Sequence, residues 1–325
     1  MLRPHSWNLF RLFSRKVATD SRRLGIVGVP FEKGQPKPGV QDGPDHIRGI
    51  GIIKDLEDIG LEVTDYGNIN YENTKTACIK NMKNLGDVAA CTKVLSGKVQ
   101  HIIRGGETCL ILGGDHSIAI GSIDGHVTSL ESDDDIAVLW VDAHPDLNTN
   151  ASSCTGNIHG MALAMLCKEL TDVWPYLPGM DWRKPRVSMK NIAYVGLRSV
   201  DSYERELIKK YGITAFGMHD IEKYGIFEVA ERALEAINPH SNRSLHVSFD
   251  IDSIDSLEAP STGTPVRGGL TLREGISLLE IVHNTNTLKA LDFVEVNPCL
   301  GSTEDSTRTL EATKHLIKAA FGYSR

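Results

Sequence analysis

Eight short runs of strand-forming residues recur along this chain, and most are apolar at nearly every position. The run Ile136-Ala137-Val138-Leu139-Trp140-Val141 is the purest case. A strand with one wet face alternates apolar and polar residues, so an unbroken apolar run belongs in a sheet covered on both sides. Parallel strands also need long crossover connections, normally helices. Helical patterns fill the intervals at 85–103, 159–170, 202–211, 226–237, 272–283 and 305–320. Strands are expected at 24–29, 61–66, 108–112, 136–141, 192–195, 213–216, 245–249 and 288–294. The alternation predicts a single α/β domain spanning 24–325, with about eight parallel strands between layers of helix. The stretch 169–190, with three prolines and two tryptophans, reads as an ordered excursion from that domain.

The first 23 residues are different in kind. Arg3, Arg11, Arg15, Lys16, Arg22 and Arg23 are set against a single acid, Asp20, and Trp7, Phe10, Phe13 and Val17 fall three or four apart, so they would share one face of a helix. An Arg-rich, acid-poor amphipathic start is the signature of a mitochondrial transit segment, so 1–23 is expected to be a leader to the matrix, with a cytosolic tail as the alternative. Elsewhere no basic cluster occurs and the formal charge is −7, which argues against a nucleic-acid partner. No apolar run approaches a membrane span. Six scattered cysteines without a CxxC pair fit reduced thiols and argue against a zinc-thiolate site.

Open α/β sheets bind ligands beyond the carboxyl ends of their strands, and here those ends are crowded with metal-binding side chains. Run 108–112 leads into Gly113-Gly114-Asp115-His116-Ser117. Run 136–141 leads into Asp142, His144 and Asp146, at alternate positions that extended backbone points the same way. Run 245–249 leads into Asp250 and Asp252, and run 288–294 into Glu295-Val296-Asn297-Pro298. Two imidazoles, His116 and His144, and four carboxylates, Asp142, Asp146, Asp250 and Asp252, are too many for one tetrahedral zinc. They suit two divalent ions, and an oxygen-rich set with some imidazole favours manganese. A two-metal site generates hydroxide at working pH, so the expected chemistry is hydrolysis. Asp115 and Asp255 read instead as caps or supports.

These motifs carry a family resemblance. Gly-Gly-Asp-His-Ser at 113–117, Asp-Ala-His-x-Asp-x-Asn at 142–148, Gly-Asn-x-His-Gly at 156–160, Ser-Phe-Asp-x-Asp-x-x-Asp at 248–255, Thr-Gly-Thr-Pro at 262–265 and Glu-Val-Asn-Pro at 295–298 follow in order. The chain resembles the arginases of the ureohydrolase family over nearly all of 24–322. The resemblance implies a three-layer α/β/α sandwich, two Mn²⁺ per subunit, and conversion of L-arginine and water to L-ornithine and urea. It implies one ion on His116, Asp142, Asp146 and Asp250, and the other on His144, Asp142, Asp250 and Asp252. Asp146 would also aim the hydroxide, His159 would serve as acid/base, and Glu295 with Thr264 would hold the guanidinium.

By the same resemblance, Asn148, Thr155 and Asn157 would bind the substrate α-carboxylate, Asp201 its α-ammonium, and Glu204 would act nearby through water. Agmatinases, whose substrate lacks the carboxylate, lack this set, so arginine is favoured over agmatine or another guanidino compound. Thr155 stands where the family usually has Ser, Ser199 where many arginases have Asp, and Ser256 where Pro is usual. A homotrimer or other homo-oligomer is expected. A catalytically silent metal-binding assembly protein is the alternative of a different class, disfavoured because it has no need of His159 and Glu295.

Overall fold

The computed structural model describes residues 23–74 and 78–324, so the expected leader lies outside the described residues except for Arg23. Eight strands form one sheet: β1 Arg23–Gly28, β2 Glu62–Asn68, β3 Thr108–Leu112, β4 Ile136–Val141, β5 Ile192–Leu197, β6 Thr214–Gly217, β7 Ser244–Asp250 and β8 Leu288–Val294. Every adjacent pair is parallel, in the order β2-β1-β3-β8-β7-β4-β5-β6. Arg23, placed at the end of the leader by sequence, is the first residue of β1 and pairs with Glu107 at 2.9 Å.

Strand β4 shows why its run is apolar throughout. Ile136, Val138 and Trp140 enter one core, while Ala137, Leu139 and Val141 enter the other. The first core also takes helices α3 Leu85–Arg104, α4 Ala119–Ser129, α5 Ala162–Leu166 and α6 Ser202–Tyr211. The second takes α1 Gly43–Gly49, α2 Ile52–Asp58, α7 Met218–Ile237, α8 Leu272–Asn284 and α9 Thr303–Ala320. Capping boxes start three of these helices: Asp201 with Glu204, Thr271 with Glu274 and Ser302 with Asp305.

Three local differences from the sequence reading have physical causes. The helix expected at 159–170 is cut to α5 flanked by 3₁₀ turns, because Cys167 leaves helical backbone to bridge Val187. Helix α7 begins eight residues before 226, and Gly225, at φ +79°, breaks it where the helical pattern starts. Helix α4 gives no helical stripe because every residue from Ala119 to Val127 is buried. It meets α3 backbone to backbone: a Cβ on Gly121 would lie 2.4 Å from Thr92 O, and one on Gly125 2.4 Å from Ser96 O.

Candidate metal centre and substrate cavity

Strands β3, β8, β7 and β4 are neighbours at the middle of the sheet, so their carboxyl-end loops converge although the chain visits them far apart. All six sequence-predicted metal ligands meet there. His116 Nδ1 lies 3.1 Å from Asp142 Oδ2, 3.3 Å from Asp146 Oδ2 and 3.2 Å from Asp250 Oδ2. His144 Nδ1 lies 3.4 Å from Asp142 Oδ1 and 3.1 Å from Asp252 Oδ2. Asp142 thus divides its two oxygens between two clusters, the geometry of a bridging carboxylate. The groups His116, Asp142, Asp250 and Asp142, His144, Asp252 each bring their donor atoms close enough to hold one cation.

The backbone does much of this positioning. Asp146 and Glu295 both adopt positive φ, +50° and +62°, a strained choice for non-glycine residues that clusters at functional sites. Gly114 lets β3 turn inward, since a Cβ there would sit 1.8 Å from Phe31 O. Backbone N–H groups of His144 and Asp252 donate to Asp142 and Asp250, each at 2.7 Å, holding the carboxylates in rotamer. Trp140 stacks on His116 with centroids 4.1 Å apart and donates its Nε1–H to Asp142 at 3.0 Å.

The electrostatics show what these residues lack by themselves. Burial raises Asp146 and Asp250 far above the usual carboxylate range, with Asp142 adding repulsion to both. Burial opposes charge on His144, yet Asp142 and Asp252 push it up to about 12. Even beside protonated imidazoles these buried acids do not all hold their charge, and a cation among them would relieve both the burial and the repulsion. His116 Nδ1 is buried with no hydrogen bond while three carboxylates surround it, as a ligand nitrogen would be. The donor set therefore fits divalent metal.

A cavity of about 320 Å³ opens above the clusters, lined by His144, Asp146 and Asp250 at its floor and by Asn148, Ser153, Cys154, Thr155, His159, Gly160, Ser199, Asp201, Glu204 and Thr264 around it. His159 Nδ1 is 3.2 Å from Glu295 Oε1, which also accepts the His116 backbone N–H at 2.9 Å. Burial works against charge on His159, but the Glu295 hydrogen bond and the charges of Glu295, Asp146 and Asp115 push it up to about 9. Thr264 donates to Asp252 Oδ2 at 3.0 Å.

At the outer end, Asn148 Nδ2 donates to Asp201 at 2.9 Å, and Asn148 Oδ1 accepts from Ser152 at 2.8 Å. Thr155 Oγ1 accepts the Asn157 backbone N–H at 3.2 Å. Asn157 is buried behind the wall, its Oδ1 taking a hydrogen bond from Lys83. Glu204 uses both oxygens on backbone: Leu147 N–H and Asp201 N–H donate to it, each at 3.0 Å. Asp115 and Asp255 accept backbone N–H groups, as expected of supports.

One supporting residue escaped sequence reading. Arg198, just past β5, donates to the carbonyls of Gly196, Asp252, Ser253 and Val266, tying the Asp252 turn to the loop that carries Thr264. Its only sequence signal is an Arg directly after an apolar strand.

Comparison with known proteins agrees with this architecture. The Arginase family model matches residues 22–322. The chain is 42% identical to Arginase-1 of Oryctolagus cuniculus over 311 residues, covering 95% of this chain and 96% of that one. It is 40% identical to mitochondrial Arginase-2 of Bos taurus over 328 residues, covering 100% of this chain and 92% of that one. The crystal structure of arginase from Bacillus cereus superposes with a TM-score of 0.82 at 37% identity, covering 94% of this chain and 100% of that one.

Proposed function

The chain belongs to the arginase family, and from that premise we propose that it hydrolyses L-arginine to L-ornithine and urea at a centre of two Mn²⁺ ions. The observation that carries this reading is the division of Asp142 between the His116 and His144 clusters, beneath a cavity whose far end offers amide and hydroxyl donors. His116, Asp142, Asp146 and Asp250 would hold one ion, and His144, Asp142, Asp250 and Asp252 the other. When bound, such a pair would lower the pKa of water and supply hydroxide near neutral pH.

The remaining roles belong to the chain. Glu295 spends Oε1 on His116 N–H and His159, leaving Oε2 to accept a guanidinium N–H. Asp146 lines the floor, where it would accept a hydrogen bond from the attacking water. His159, held by Glu295 at 3.2 Å and lining the cavity, would deliver a proton to the departing amine. Thr264, bonded to Asp252, steadies the guanidinium side of the floor.

At the other end, Thr155 accepts a backbone hydrogen bond and keeps its O–H to donate. Asn157, with its oxygen taken by Lys83, keeps its NH₂ to donate. With Asn148, which lines the cavity, Thr155 would form a neutral donor set for a carboxylate, Asn157 would back it from behind the wall, and Asp201 would supply the acceptor for the ammonium. Glu204 supports both ends through Leu147 and Asp201, in addition to any water it holds. Agmatine would leave these donors without a carboxylate to pair with, which sites built for hydrogen bonding penalise.

The test is urea release by the Mn²⁺-loaded chain across arginine, agmatine and other guanidines. No urea from arginine refutes the activity, and equal turnover of agmatine refutes the carboxylate assignment. Two further readings accompany this one. The basic start and the likeness to a mitochondrial relative support a matrix location, with any leader ending before Arg23; fusion of the first 22 residues to a reporter tests it. Assembly as a homotrimer or other homo-oligomer follows from the family resemblance, and light scattering reads it.

A further inference from the structure

Beneath the His116 cluster a chain of buried polar side chains runs back through the sheet. His116 Nε2 is 2.9 Å from Ser248 Oγ, and Ser248 Oγ donates to Asp292 Oδ2 at 3.1 Å. Asp292 Oδ2 also accepts from Ser122 at 2.7 Å and lies 3.0 Å from His246 Nε2. His246 Nδ1 meets His126 Nδ1 at 3.1 Å, and His126 Nε2 meets Ser244 Oγ at 2.7 Å. His116 is 1% exposed, and Ser122, His126, His246, Ser248 and Asp292 are fully buried, within strands and a helix that otherwise carry core residues.

Only one pattern of protons satisfies this chain with neutral rings. Asp292 can only accept, so His246 must carry its hydrogen on Nε2 and present a bare Nδ1. His126 then donates from Nδ1 and accepts from Ser244 at Nε2. Ser248 gives its hydrogen to Asp292 and must accept from His116, which places the His116 hydrogen on Nε2 and leaves Nδ1 as a lone pair. That nitrogen is the one facing Asp142, Asp146 and Asp250. Outer partners of a metal-bound imidazole fix its tautomer and ring orientation in this way.

We propose that Asp292 is a positioning residue that acts through Ser248 to hold His116 as a metal ligand, so that cation affinity at the His116 cluster is set from the interior of the sheet. This rests on the two-ion reading above. The two clusters are unequally supported: among the described residues no such relay reaches His144, whose side chain is 26% exposed at the cavity floor. Cutting the relay should therefore weaken one ion and spare the other.

The experiment titrates Mn²⁺ into the metal-stripped full chain, reading free Mn²⁺ by electron paramagnetic resonance and tryptophan quenching from Trp140, which stacks on His116. Ser248→Ala breaks the relay without removing a charge, and Asp292→Asn removes the acceptor. Each should bind one of the two ions about 10–100-fold more weakly, the usual range for loss of an outer partner. Ser248→Thr, which keeps the hydroxyl, should restore binding. Ser122→Ala removes a different donor to Asp292 and should leave both affinities within about threefold of wild type, on the same basis. Wild-type affinities in Ser248→Ala, or equal losses in Ser122→Ala and Ser248→Ala, would overturn the proposal. Wild-type protein that binds fewer than two ions would refute the two-ion reading itself, a different result from an unaltered Ser248→Ala.

Discussion

Glu295→Gln is the most discriminating single change in this site, because it keeps shape while removing a charge that two histidine-linked hydrogen bonds depend on. His159 is driven up to about 9 against the effect of burial, and its hydrogen bond and charge contact with Glu295 are the first two causes raising it. An ordinary histidine titrates near 6.5, so the elevation corresponds to about 3 kcal/mol of preference for the charged ring. With a neutral amide at 295, burial remains and its main opponent is gone, so His159 should titrate at or below 6.5. The measurement is the Cε1–H resonance of His159 followed from pH 5 to 10 in the metal-stripped chain, assigned against His159→Asn. Stripping matters because divalent cations beside Asp146 would themselves lower the imidazole. Stability should follow with a defined sign. A histidine whose folded value lies above its unfolded one stabilises the fold below about 6.5, and that contribution is lost as pH rises through about 9. The gap in unfolding free energy between wild type and Glu295→Gln should thus narrow by about 2–3 kcal/mol between pH 6 and pH 10. A His159 resonance that still titrates near 9 in the variant would refute the reasoning.

Arg198→Met should cost about 3–5 kcal/mol in denaturant unfolding, since the carbonyls of Asp252 and Val266 lose charged donors at 2.5 and 2.7 Å; a loss under about 1 kcal/mol would mean the guanidinium is incidental. Asn148→Ala frees Asp201 and Ser152 together, so KM for arginine should rise about tenfold or more while agmatine turnover stays within about twofold. Gly121→Ala should destabilise by about 2–3 kcal/mol despite better helix propensity, because the new methyl meets the α3 backbone and not a movable side chain. A neutral or stabilising result in thermal melts would show that α3 and α4 can separate freely.

Sequence legibility divided along a physical line. Strands β3, β4 and β8 have the bounds their apolar runs predicted, since burial on both faces leaves few polar residues to blur an end. The cluster of acids and imidazoles was legible because such residues directly after an apolar strand have no core role to explain them. Helices α1 and α2 were missed because each is seven residues long and bordered by glycine, too short to show a stripe. Glu204 illustrates a subtler limit: its place on the cavity was legible, but its capture by two backbone N–H groups depends on where Leu147 falls in space. The relay under His116 did leave a trace, in His246, Ser248 and Asp292 interrupting otherwise apolar strands. Polar residues inside a strand buried on both sides need partners, and the chain alone does not say which.

The order of strands across the sheet also fixes when this protein can begin to work. The two strands at its centre, β7 and β8, are the seventh and eighth to leave the ribosome, and they fill the space between β3 and β4. Until residue 252 has been made, the His144 cluster lacks an acid, and until residue 295 His159 lacks its partner. A nascent chain of about two hundred residues therefore presents unpaired edges on both sides of a gap, the kind of surface that chaperones protect. If cation uptake is coupled to completion of the ligand set, it becomes a late step in biogenesis, and a truncation before β8 should yield protein without activity.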